Sequence, residues 1–316
     1  MNNPDSKALS IIVVSYNTSD MTRACIDAVF SSTILPDFEL LVMDNNSTDD
    51  SHEMLQAYSD SRLQYFPSDV NHGFAGGNNR LIEHSKGDYL LLLNPDTVVS
   101  SNAIQTLLDF AGRYESAGVW GGLTRFSDGS LNPTYCWGRQ SVWSLTCQAL
   151  GLSSLFRKSR LFNPEGVGYW NSKLTREVDI VSGCFLLTKR DLWNQLDGFD
   201  ERFFMYGEEA DLCLRARDLG CNPMICTAAE IVHHGGASES SATGKLVSLL
   251  GSKMGLIVRH FSPPTRSLGV FLLAAWPASR LVAHQVLSFL KQERSRERYE
   301  VWKGVWQRRT EWLPNS

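Results

Sequence analysis

The sequence contains no run of about 18 uninterrupted apolar residues, the length that a membrane-spanning helix needs. Its first residues, MNNPDSKALS, are polar and lack the apolar segment of a secretory signal. The seven cysteines are scattered and odd in number, which suits reduced thiols in a cytoplasm better than a disulfide framework. These absences predict a cytoplasmic protein without a spanning helix.

An excess of charge is also missing, because 30 Lys and Arg stand against 34 Asp and Glu, for a formal net charge of −4. A general nucleic-acid-binding protein needs a basic surface, so we expect no nucleic-acid partner. Apolar residues make up 43% of the 316 residues and charged residues 20%, as is ordinary for globular proteins. The chain can therefore bury a sizeable core, as one large domain or two small ones.

The first hundred residues alternate between short apolar runs with polar flanks and stretches that begin with helix-capping residues. This alternation is typical of an α/β fold with a mostly parallel sheet and flanking helices. Because the carboxyl ends of parallel strands lie along one edge, the polar clusters at Ser15, Asp44 and Asn94 should form one pocket. The predicted strands are 9–15, 38–43, 62–66 and 89–93, and the intervening helices end near 30, 58 and 86.

Residues 127–177 combine aromatic side chains with Gly and Pro and show little periodicity. We expect a long, partly mobile excursion over the active face, since long irregular segments are more often functional or disordered than ordinary loops. Regular patterns predict helices at 102–113, 189–196 and 208–219, and strands at 119–123, 178–188 and 222–233.

The character of the sequence changes after about residue 240, which predicts a catalytic domain at 1–240 and a helical, basic extension at 241–316. Trp302, Trp306 and Trp312 are interleaved with arginines near an amphipathic helix, which Pro277 is expected to interrupt. Such a pattern suits peripheral association with a membrane surface. A helical tail packed on the catalytic domain is an equal alternative.

Several motifs resemble glycosyltransferase family 2, and within it the rhamnosyltransferase-type branch. The first group is VVSYN at 13–17, DNNSTD at 44–49, GFAGGNN at 73–79 and NPD at 94–96. The later group is GFDERFF at 198–204, GEEADL at 207–212 and HHGGAS at 233–238. The resemblance covers about residues 9–240 and implies the A-type nucleotide-sugar-binding fold and an inverting transfer.

The resemblance, together with the strand-end positions, places a nucleotide-sugar site on the motifs of the sheet edge. Asp44 would accept a base N–H of a uracil or thymine nucleotide; the alternative is a turn or capping acid. The glycines would bring backbone N–H groups to the diphosphate or ribose, although a glycine turn alone is more often just a turn. The predicted binding residues are Ser15, Asn17, Asp44, Asn46, Gly73, Gly76, Gly77, Asn78, Asn79, Asn94 and Gly183.

Asp96 is the expected ligand of a divalent cation, Mg²⁺ or Mn²⁺, and His233, at the end of a strand, is the expected second ligand. The wider fold often carries two acids here, but Asn94 stands at the first position. Mg²⁺ accepts one or two carboxylates plus substrate phosphates, so one Asp suffices. Zinc held by Cys221 and Cys226 with two histidines is disfavoured, because the close C-x2-C spacing is missing.

Three acids open the predicted helix at 208–219. In the resembling family the second acid is the general base, which here is Glu209, with Asp211 as supporting acid and Glu208 as the alternative base. Crowded acids raise each other's pKa, which suits a proton acceptor, whereas acids in a first helical turn also simply suit the helix dipole. Arg215 follows Asp211 by four residues, so we expect a salt bridge between them.

The resemblance implies transfer of L-rhamnose from dTDP-L-rhamnose to a saccharide or lipid-linked saccharide acceptor, in cell-wall or other surface polysaccharide synthesis at the inner face of the membrane. Two other readings of the same motifs remain open. One is an enzyme of the same fold that uses a UDP-hexose. The other is a catalytically silent nucleotide-sugar-binding module, which Asn94 and Glu209 would favour. A nucleotidyltransferase is disfavoured by the motifs at 208–211 and 233.

Overall fold

The structure is a computed structural model that describes residues 7–33, 37–166, 174–235, 241–289 and 293–314. The chain separates into two compact units. The first, which we call the sheet unit, comprises Met1–Trp137, Asn171–Phe204 and Glu208–Ser238. The second, which we call the helical unit, comprises Gly138–Trp170, Met205–Gly207 and Glu239–Ser316.

The described residues form eleven strands and eleven α-helices. The strands are β1 (Lys7–Ser15), β2 (Phe38–Asn45), β3 (Leu63–Ser68), β4 (Gly87–Leu93), β5 (Thr97–Val99), β6 (Val119–Arg125), β7 (Cys136–Trp137), β8 (Arg176–Glu177), β9 (Ile180–Val181), β10 (Phe185–Lys189) and β11 (Met224–His233). The helices are α1 (Ser19–Ser32), α2 (Ser51–Gln56), α3 (Gly73–His84), α4 (Ala103–Arg113), α5 (Val142–Ala149), α6 (Leu152–Leu155), α7 (Arg190–Gln195), α8 (Glu208–Asp218), α9 (Ala242–His260), α10 (Pro263–Phe289) and α11 (Glu293–Gln307).

The main sheet has the strand order β3-β2-β1-β4-β10-β6-β11-β5, and β8 pairs with β11. Strands β3, β2, β1 and β4 are parallel, and β10 runs antiparallel between β4 and β6. Ser15 lies opposite Asp44, and Thr97 of β5 lies opposite His233 of β11. The predicted α/β fold with a mostly parallel sheet is therefore confirmed, and the expected polar strand ends lie along one edge.

Apolar strand residues explain why this sheet forms the core. All eight residues of β2 are buried, and so are Leu90 to Leu93 of β4, because helices cover both faces. Helices α1 and α4 contribute buried side chains such as Ile26 and Leu107 to the same core cluster. Each fully buried leucine contributes about 1.5–3 kcal/mol, so the edge that carries the polar residues rests on a rigid base.

Three predicted features differ from the structure. The 73–79 motif was expected to be a turn before a helix, but α3 begins at Gly73 and contains the whole motif. The expected strand 178–188 is divided into β9 and β10 by a turn at 182–184. Residues 127–166 contain α5 and α6, whereas the sequence predicted an irregular excursion. Its expected mobility stays a prediction, and residues 167–173 and 236–238 lie outside the described residues.

Residues 138–166 belong to the helical unit because polar contacts join them to the C-terminal helices. The Glu165 carboxylate lies 2.7 Å from the Lys253 ammonium, and the Ser279 hydroxyl donates to the Ala149 carbonyl at 2.7 Å. The sequence placed this segment in the first domain, since its partners lie about a hundred residues further along the chain. The division at residue 240 stays a prediction.

Helix α10 runs through Pro277 without ending, although the sequence predicted an interruption there. Among the described residues it is the one helix long and apolar enough to cross a membrane, judged by length and composition alone. Arg266 and Arg280 interrupt its apolar sequence, so helix α10 contains no uninterrupted apolar run of about 18 residues. This finding corrects the expectation of no candidate spanning helix.

The C-terminal tryptophans pack inside the helical unit. Trp312 is 2% exposed, and Trp302 and Trp306 are partly buried against the same apolar cluster, which contains Leu250 and Ile257. Trp306 and Trp312 contact each other with ring centroids 6.3 Å apart. These rings form the core of their own unit, so they are not an exposed interfacial belt.

Candidate active site

Asn17 ties together the loops that follow β1 and β2 at the carboxyl edge of the sheet. Its side-chain Oδ1 accepts a hydrogen bond from the Thr48 backbone N–H at 2.7 Å. Its own backbone N–H donates to the Ser47 hydroxyl at 2.9 Å. The left-handed backbone of Asn17, with φ of 53°, is one that Asn tolerates better than most residues. This predicted residue therefore shapes the pocket through both loops.

Asp44 is buried at the same edge, and its Oδ1 accepts the Ser47 backbone N–H at 3.1 Å. This bond is the turn-forming contact predicted as the alternative role of Asp44. The hydroxyl of Ser15, opposite Asp44, lies 2.8 Å from the Thr22 hydroxyl and is fully buried. Ser15 therefore holds α1 against β1, while Asp44 lies at the carboxyl end of β2.

Asn45 fixes the start of α3 against the end of β2, and the sequence reasoning missed it. Its Nδ2 donates to the Asn71 side chain at 3.0 Å and to the Gly73 carbonyl at 3.2 Å, and its Oδ1 accepts the His72 backbone N–H at 2.9 Å. Its place at a strand end was the available signal. The predicted neighbour Asn46 is exposed in a left-handed backbone with φ of 67°.

The glycines of the 73–79 motif permit close packing of α3. A Cβ at Gly73 would lie 2.3 Å from the Phe204 carbonyl oxygen, and the φ of 69° is a second reason for glycine there. A Cβ at Gly77 would lie 2.8 Å from the Val14 side chain of β1. Gly76 is less restricted, because the atom 2.8 Å from its Cβ position belongs to the flexible end of the Arg80 side chain. Gly73 and Gly77 thus have a packing reason, and the predicted contact of all three glycines with the diphosphate stays a prediction.

The two asparagines of the motif hold α3 in place. Asn78 is 1% exposed, and its Nδ2 donates to the Phe74 carbonyl at 2.8 Å. Asn79 binds the Phe199 backbone twice, because its Nδ2 donates to the carbonyl at 2.9 Å and its Oδ1 accepts the N–H at 3.0 Å. These two hydrogen bonds join the motif at 73–79 to the motif at 198–204.

Asp96 and His233 are 137 residues apart in the chain, and the structure brings them together at the carboxyl edge. Asp96 Oδ1 lies 3.2 Å from His233 Nε2, and Asp96 Oδ2 accepts the Gly235 backbone N–H at 3.0 Å. The Asp96 backbone carbonyl also accepts the His234 N–H at 3.0 Å. The predicted pair of metal-binding residues is thus built from the β4–β5 connection and the end of β11.

The electrostatics of this pair favour its charged form. Burial opposes the charge on His233, but hydrogen bonds to Asp96 and Cys184 outweigh it and raise the pKa of His233 to about 10. Burial also opposes the charge on Asp96, yet the hydrogen bond with His233 lowers the pKa of Asp96 below its ordinary value. A cation that binds both residues must therefore displace the proton of His233.

The donor set fits a hard divalent cation. Asp96 offers a carboxylate oxygen and His233 an imidazole nitrogen, and these two atoms face each other at 3.2 Å as a hydrogen-bonded pair, so both side chains converge on one point. The Asn94 Oδ1, two residues from Asp96, is buried without a protein partner, so a further acceptor is available at this edge. Over the described ranges no three or more His, Cys, Asp or Glu side chains form a metal-binding group, so substrate phosphates would complete the shell.

The zinc alternative finds no support in the described part of the chain. Cys226 is 2% exposed in the middle of β11, opposite Gly122 of β6, and it belongs to the main core cluster. Seven positions of an extended strand separate it from His233, a distance of about 20 Å.

The three acids of α8 have different environments. Asp211 is fully buried and forms the predicted salt bridge with Arg215 at 2.7 Å, which is confirmed. Arg215 also donates to the Gly198 carbonyl at 2.8 Å, so this pair supports the turn at 196–198. Glu208 is buried, its Oε2 has no protein partner, and burial together with the Glu209 charge raises its pKa well above the ordinary value. Asp211 thus holds the fold, whereas the surroundings of Glu208 disfavour its charged form.

Glu209 lies beside the turn at 182–184. A Cβ at Gly183 would lie 3.6 Å from the Glu209 Cβ and 3.2 Å from the Phe74 ring. The next residue, Cys184, hydrogen-bonds to His233, and its carbonyl accepts the Asn94 N–H at 3.2 Å. One short turn therefore lies between the predicted base and the predicted metal ligands. Cys184 is not among the residues predicted for the site, so sequence reasoning missed its contact with His233.

Comparison with known proteins identifies the family of the chain. The sequence profile described as "Glycosyl transferase family 2" matches residues 10–194, more than half of the chain. The chain is 30% identical, over 252 residues, to the N-acetylglucosaminyl-diphospho-decaprenol L-rhamnosyltransferase of Mycobacterium tuberculosis, with 75% of this chain and 78% of the other covered. It is 25% identical over 241 residues to the rhamnosyltransferase WbbL of Escherichia coli, covering 71% of this chain and 82% of the other.

A similar fold occurs in the solved structure of the mannosyltransferase PcManGT from Pyrobaculum calidifontis in complex with GDP-Man and Mn²⁺. The TM-score is 0.58 at 13% identity, with 96% of this chain and 86% of the other covered, which confirms the expected A-type fold. The resemblance that the motifs indicated is thereby confirmed: the chain is a glycosyltransferase that belongs to glycosyl transferase family 2, in its rhamnosyltransferase-like branch.

Proposed function

We propose that the chain is an inverting, metal-dependent rhamnosyltransferase that transfers L-rhamnose from dTDP-L-rhamnose to a saccharide or lipid-linked saccharide acceptor. The observation that supports this proposal most directly is the position of Glu209 beside the turn at 182–184, because Cys184 of that turn hydrogen-bonds to His233, the partner of Asp96. The rhamnosyl donor is supported by the names of the two relatives. The sugar would enter cell-wall or other surface polysaccharide.

Binding of the donor is assigned to the polar strand ends. Asp44 would accept the ring N–H of the thymine base, and Asn17 and Asn46 would line the nucleoside site from the same two loops. The Oδ1 of Asn94 would accept a hydrogen bond from a hydroxyl of the nucleotide sugar or would bind the cation, because it is a buried acceptor without a protein partner. Gly183 would lie under the donor sugar, where the absence of a side chain leaves room.

Asp96 and His233 would hold Mg²⁺ or Mn²⁺. When bound, the cation would supply positive charge to the departing diphosphate. The protein's own contribution is the fixed position of both ligands, since Asp96 is anchored by the Gly235 N–H. Metal affinity should rise with pH, because His233 must lose a proton whose pKa is about 10.

Glu209 is assigned as the general base. The acceptor hydroxyl oxygen would form the new bond to the anomeric carbon, the bond from that carbon to the diphosphate oxygen would break, and Glu209 would take the hydroxyl proton. Glu208 is the weaker candidate, because burial and the charge of Glu209 both raise its pKa and so disfavour the carboxylate form that a base needs.

The catalytic domain would comprise 1–240 and the helical extension 241–316, with the enzyme in the cytoplasm at the inner face of the membrane. This location follows from the lipid-diphosphate acceptor named for the mycobacterial relative. Such an acceptor keeps its saccharide near the bilayer surface, so a transferase gains substrate access by lying there.

The proposal is tested by thermal denaturation with dTDP-L-rhamnose, UDP-glucose, UDP-N-acetylglucosamine and GDP-mannose, each with and without Mn²⁺. A ligand at 100 times its Kd adds about 2.7 kcal/mol to the free energy of unfolding. A metal-dependent rise in Tm with the dTDP sugar alone is expected. A rise in Tm with a UDP sugar instead would identify that sugar as the donor and would leave the proposed mechanism unchanged. Stabilisation by dTDP-L-rhamnose without any turnover on a lipid-linked acceptor would favour the silent module.

A further inference from the structure

The positive charge of the chain is concentrated in the helical unit. This unit contains 16 Lys and Arg against 6 Asp and Glu, a net charge of +10. The sheet unit contains 14 Lys and Arg against 28 Asp and Glu, a net charge of −14. The near-neutral total therefore hides a strongly basic unit, which is attracted to anionic surfaces.

Helix α10 carries an exposed apolar face in this basic unit. Leu268, Phe271, Val282 and Val286 are between 47% and 67% exposed. Their spacings of 3, 11 and 4 residues place them on one side of a helix with 3.6 residues per turn. The opposite side packs inward through Leu273, which is fully buried in the cluster of the unit. The helix is thus amphipathic, with its apolar surplus facing solvent.

A second apolar feature is the segment that follows α5, residues 150–162. It contains the short helix α6, and we call it the leucine turn. Leu150, Leu155 and Leu161 are 70%, 73% and 61% exposed. The turn is nevertheless well held, because the Trp143 indole N–H donates to the Leu161 carbonyl at 2.6 Å and the Phe156 and Phe162 rings lie 5.0 Å apart. The leucines are therefore presented on a built support.

The leucine turn begins against the middle of α10. The Ser279 hydroxyl donates to the Ala149 carbonyl at 2.7 Å, and the Arg280 guanidinium donates to the Gln148 carbonyl at 3.0 Å. Ala149 directly precedes Leu150, and Ser279 lies between Phe271 and Val282 along the helix. The two apolar features therefore adjoin each other within one compact unit.

Three exposed cations, Arg157, Lys158 and Arg160, accompany the leucines. Throughout the described ranges none of the three forms an ion pair with a carboxylate. Exposed leucines beside unpaired cations match a bilayer interface, where the apolar side chains enter the acyl region and the cations meet anionic headgroups. A second copy of the chain is less suitable, since two units of +10 repel each other.

We propose that the leucine turn and the exposed face of α10 dock the protein on an anionic lipid bilayer as a peripheral, non-spanning contact. The need for such docking rests on the proposed lipid-linked acceptor, but the contact itself requires no catalysis. It assigns membrane contact to Leu155, Leu161 and their cations, whereas the tryptophans of the C-terminal helix stay inside the unit. Because Leu273 packs against α9 and α11, α10 lies along the surface.

The test is co-sedimentation of the full chain with phosphatidylcholine vesicles, with and without phosphatidylglycerol, in the absence of nucleotide. Two variants probe the turn, Leu155→Ser/Leu161→Ser and Arg157→Gln/Lys158→Gln/Arg160→Gln. Their controls in the sheet unit are Met21→Ser/Leu219→Ser and Arg23→Gln/Lys86→Gln/Arg113→Gln, which also change exposed side chains. Unchanged Tm values show that each variant is folded.

Wild type is expected to bind the anionic vesicles and to be released by concentrated salt. Each cation near an anionic surface contributes about a fivefold factor, so the triple turn variant should bind on the order of 100-fold less tightly. The leucine variant should lose at least about tenfold, and both controls should bind as wild type does.

Several results would overturn the proposal. These are no binding to anionic vesicles, equal binding by turn and control variants, or bound protein that resists salt and carbonate, which would indicate a spanning α10. A concentration-dependent dimer that only the leucine variant abolishes, without vesicle binding, would assign the face to self-association. Donor stabilisation measured without vesicles tests the proposed transferase function separately, so failure of one leaves the other standing.

Discussion

Asp96→Asn tests the metal-ligand pair without changing the volume of the side chain. In the metal-free wild type the pKa of His233 is about 10, compared with an ordinary value of 6.5. This difference corresponds to about 5 kcal/mol of preference for the charged imidazole, shared between Asp96 and Cys184. Without the Asp96 charge, burial dominates, so the pKa of His233 should fall toward or below 6.5.

The same substitution changes how stability depends on pH. His233 has a raised pKa in the folded state, so its contribution is complete below pH 6.5 and disappears as the pH rises through about 10. Removing one partner of a buried pair costs about 3–5 kcal/mol, which corresponds to a Tm lower by on the order of 10 °C near pH 6. The difference between the variant and wild type should shrink toward pH 10.

The assay is an NMR titration of labelled histidine in metal-free protein, combined with thermal denaturation at pH values from about 6 to about 10. Asp109→Asn is the matched control, because Asp109 is exposed on α4 and bonds only within its own helix. A pKa of His233 that stays near 10 in Asp96→Asn would refute the reasoning, since Asp96 would then not be the source of the shift.

Two further predictions concern the base and the packing of α3. Glu209→Gln should keep donor binding and lose about 10²–10⁴ in turnover. Glu208→Gln should retain most activity, because burial and the charge of Glu209 raise the pKa of Glu208 and disfavour its carboxylate form; the opposite order in a kcat comparison would exchange their roles. Gly73→Ala should cost more than about 2 kcal/mol in the free energy of unfolding, because its Cβ would meet the Phe204 carbonyl at 2.3 Å. Gly129→Ala, with φ of 80° and no atom within 4 Å of its Cβ, should lose only about 1 kcal/mol for backbone strain. Equal losses in denaturant titrations of both glycine variants would contradict the packing of α3.

The sheet edge could be predicted because strand direction needs only local sequence patterns. Asp96 and His233 each follow or end an apolar run, so parallel strands place both at one edge even though they lie far apart in the chain. Asp44 and Asn17 were located by the same argument. The salt bridge of Asp211 with Arg215 followed from helical spacing alone.

The errors came from features whose cause lies in tertiary contacts. Gly73 and Gly77 suggested a turn, but their missing side chains make room for Phe204 and Val14, which no local pattern reveals. Helix α5 was missed because its apolar face is buried by α10, some 130 residues later in the chain. The raised pKa of Glu208 depends on its burial, so the spacing of the acids did not distinguish it from Glu209.

The central claim is that Asp96 and His233 hold a cation required for the use of dTDP-L-rhamnose. The most direct measurement is isothermal titration of wild type and Asp96→Ala with dTDP-L-rhamnose, in Mn²⁺ and again in excess chelator. The account predicts tight binding by wild type in Mn²⁺ alone, with binding by Asp96→Ala no stronger than that of wild type in chelator. Equal affinity of wild type in Mn²⁺ and in chelator, or an Asp96→Ala variant that binds as wild type does, would contradict it.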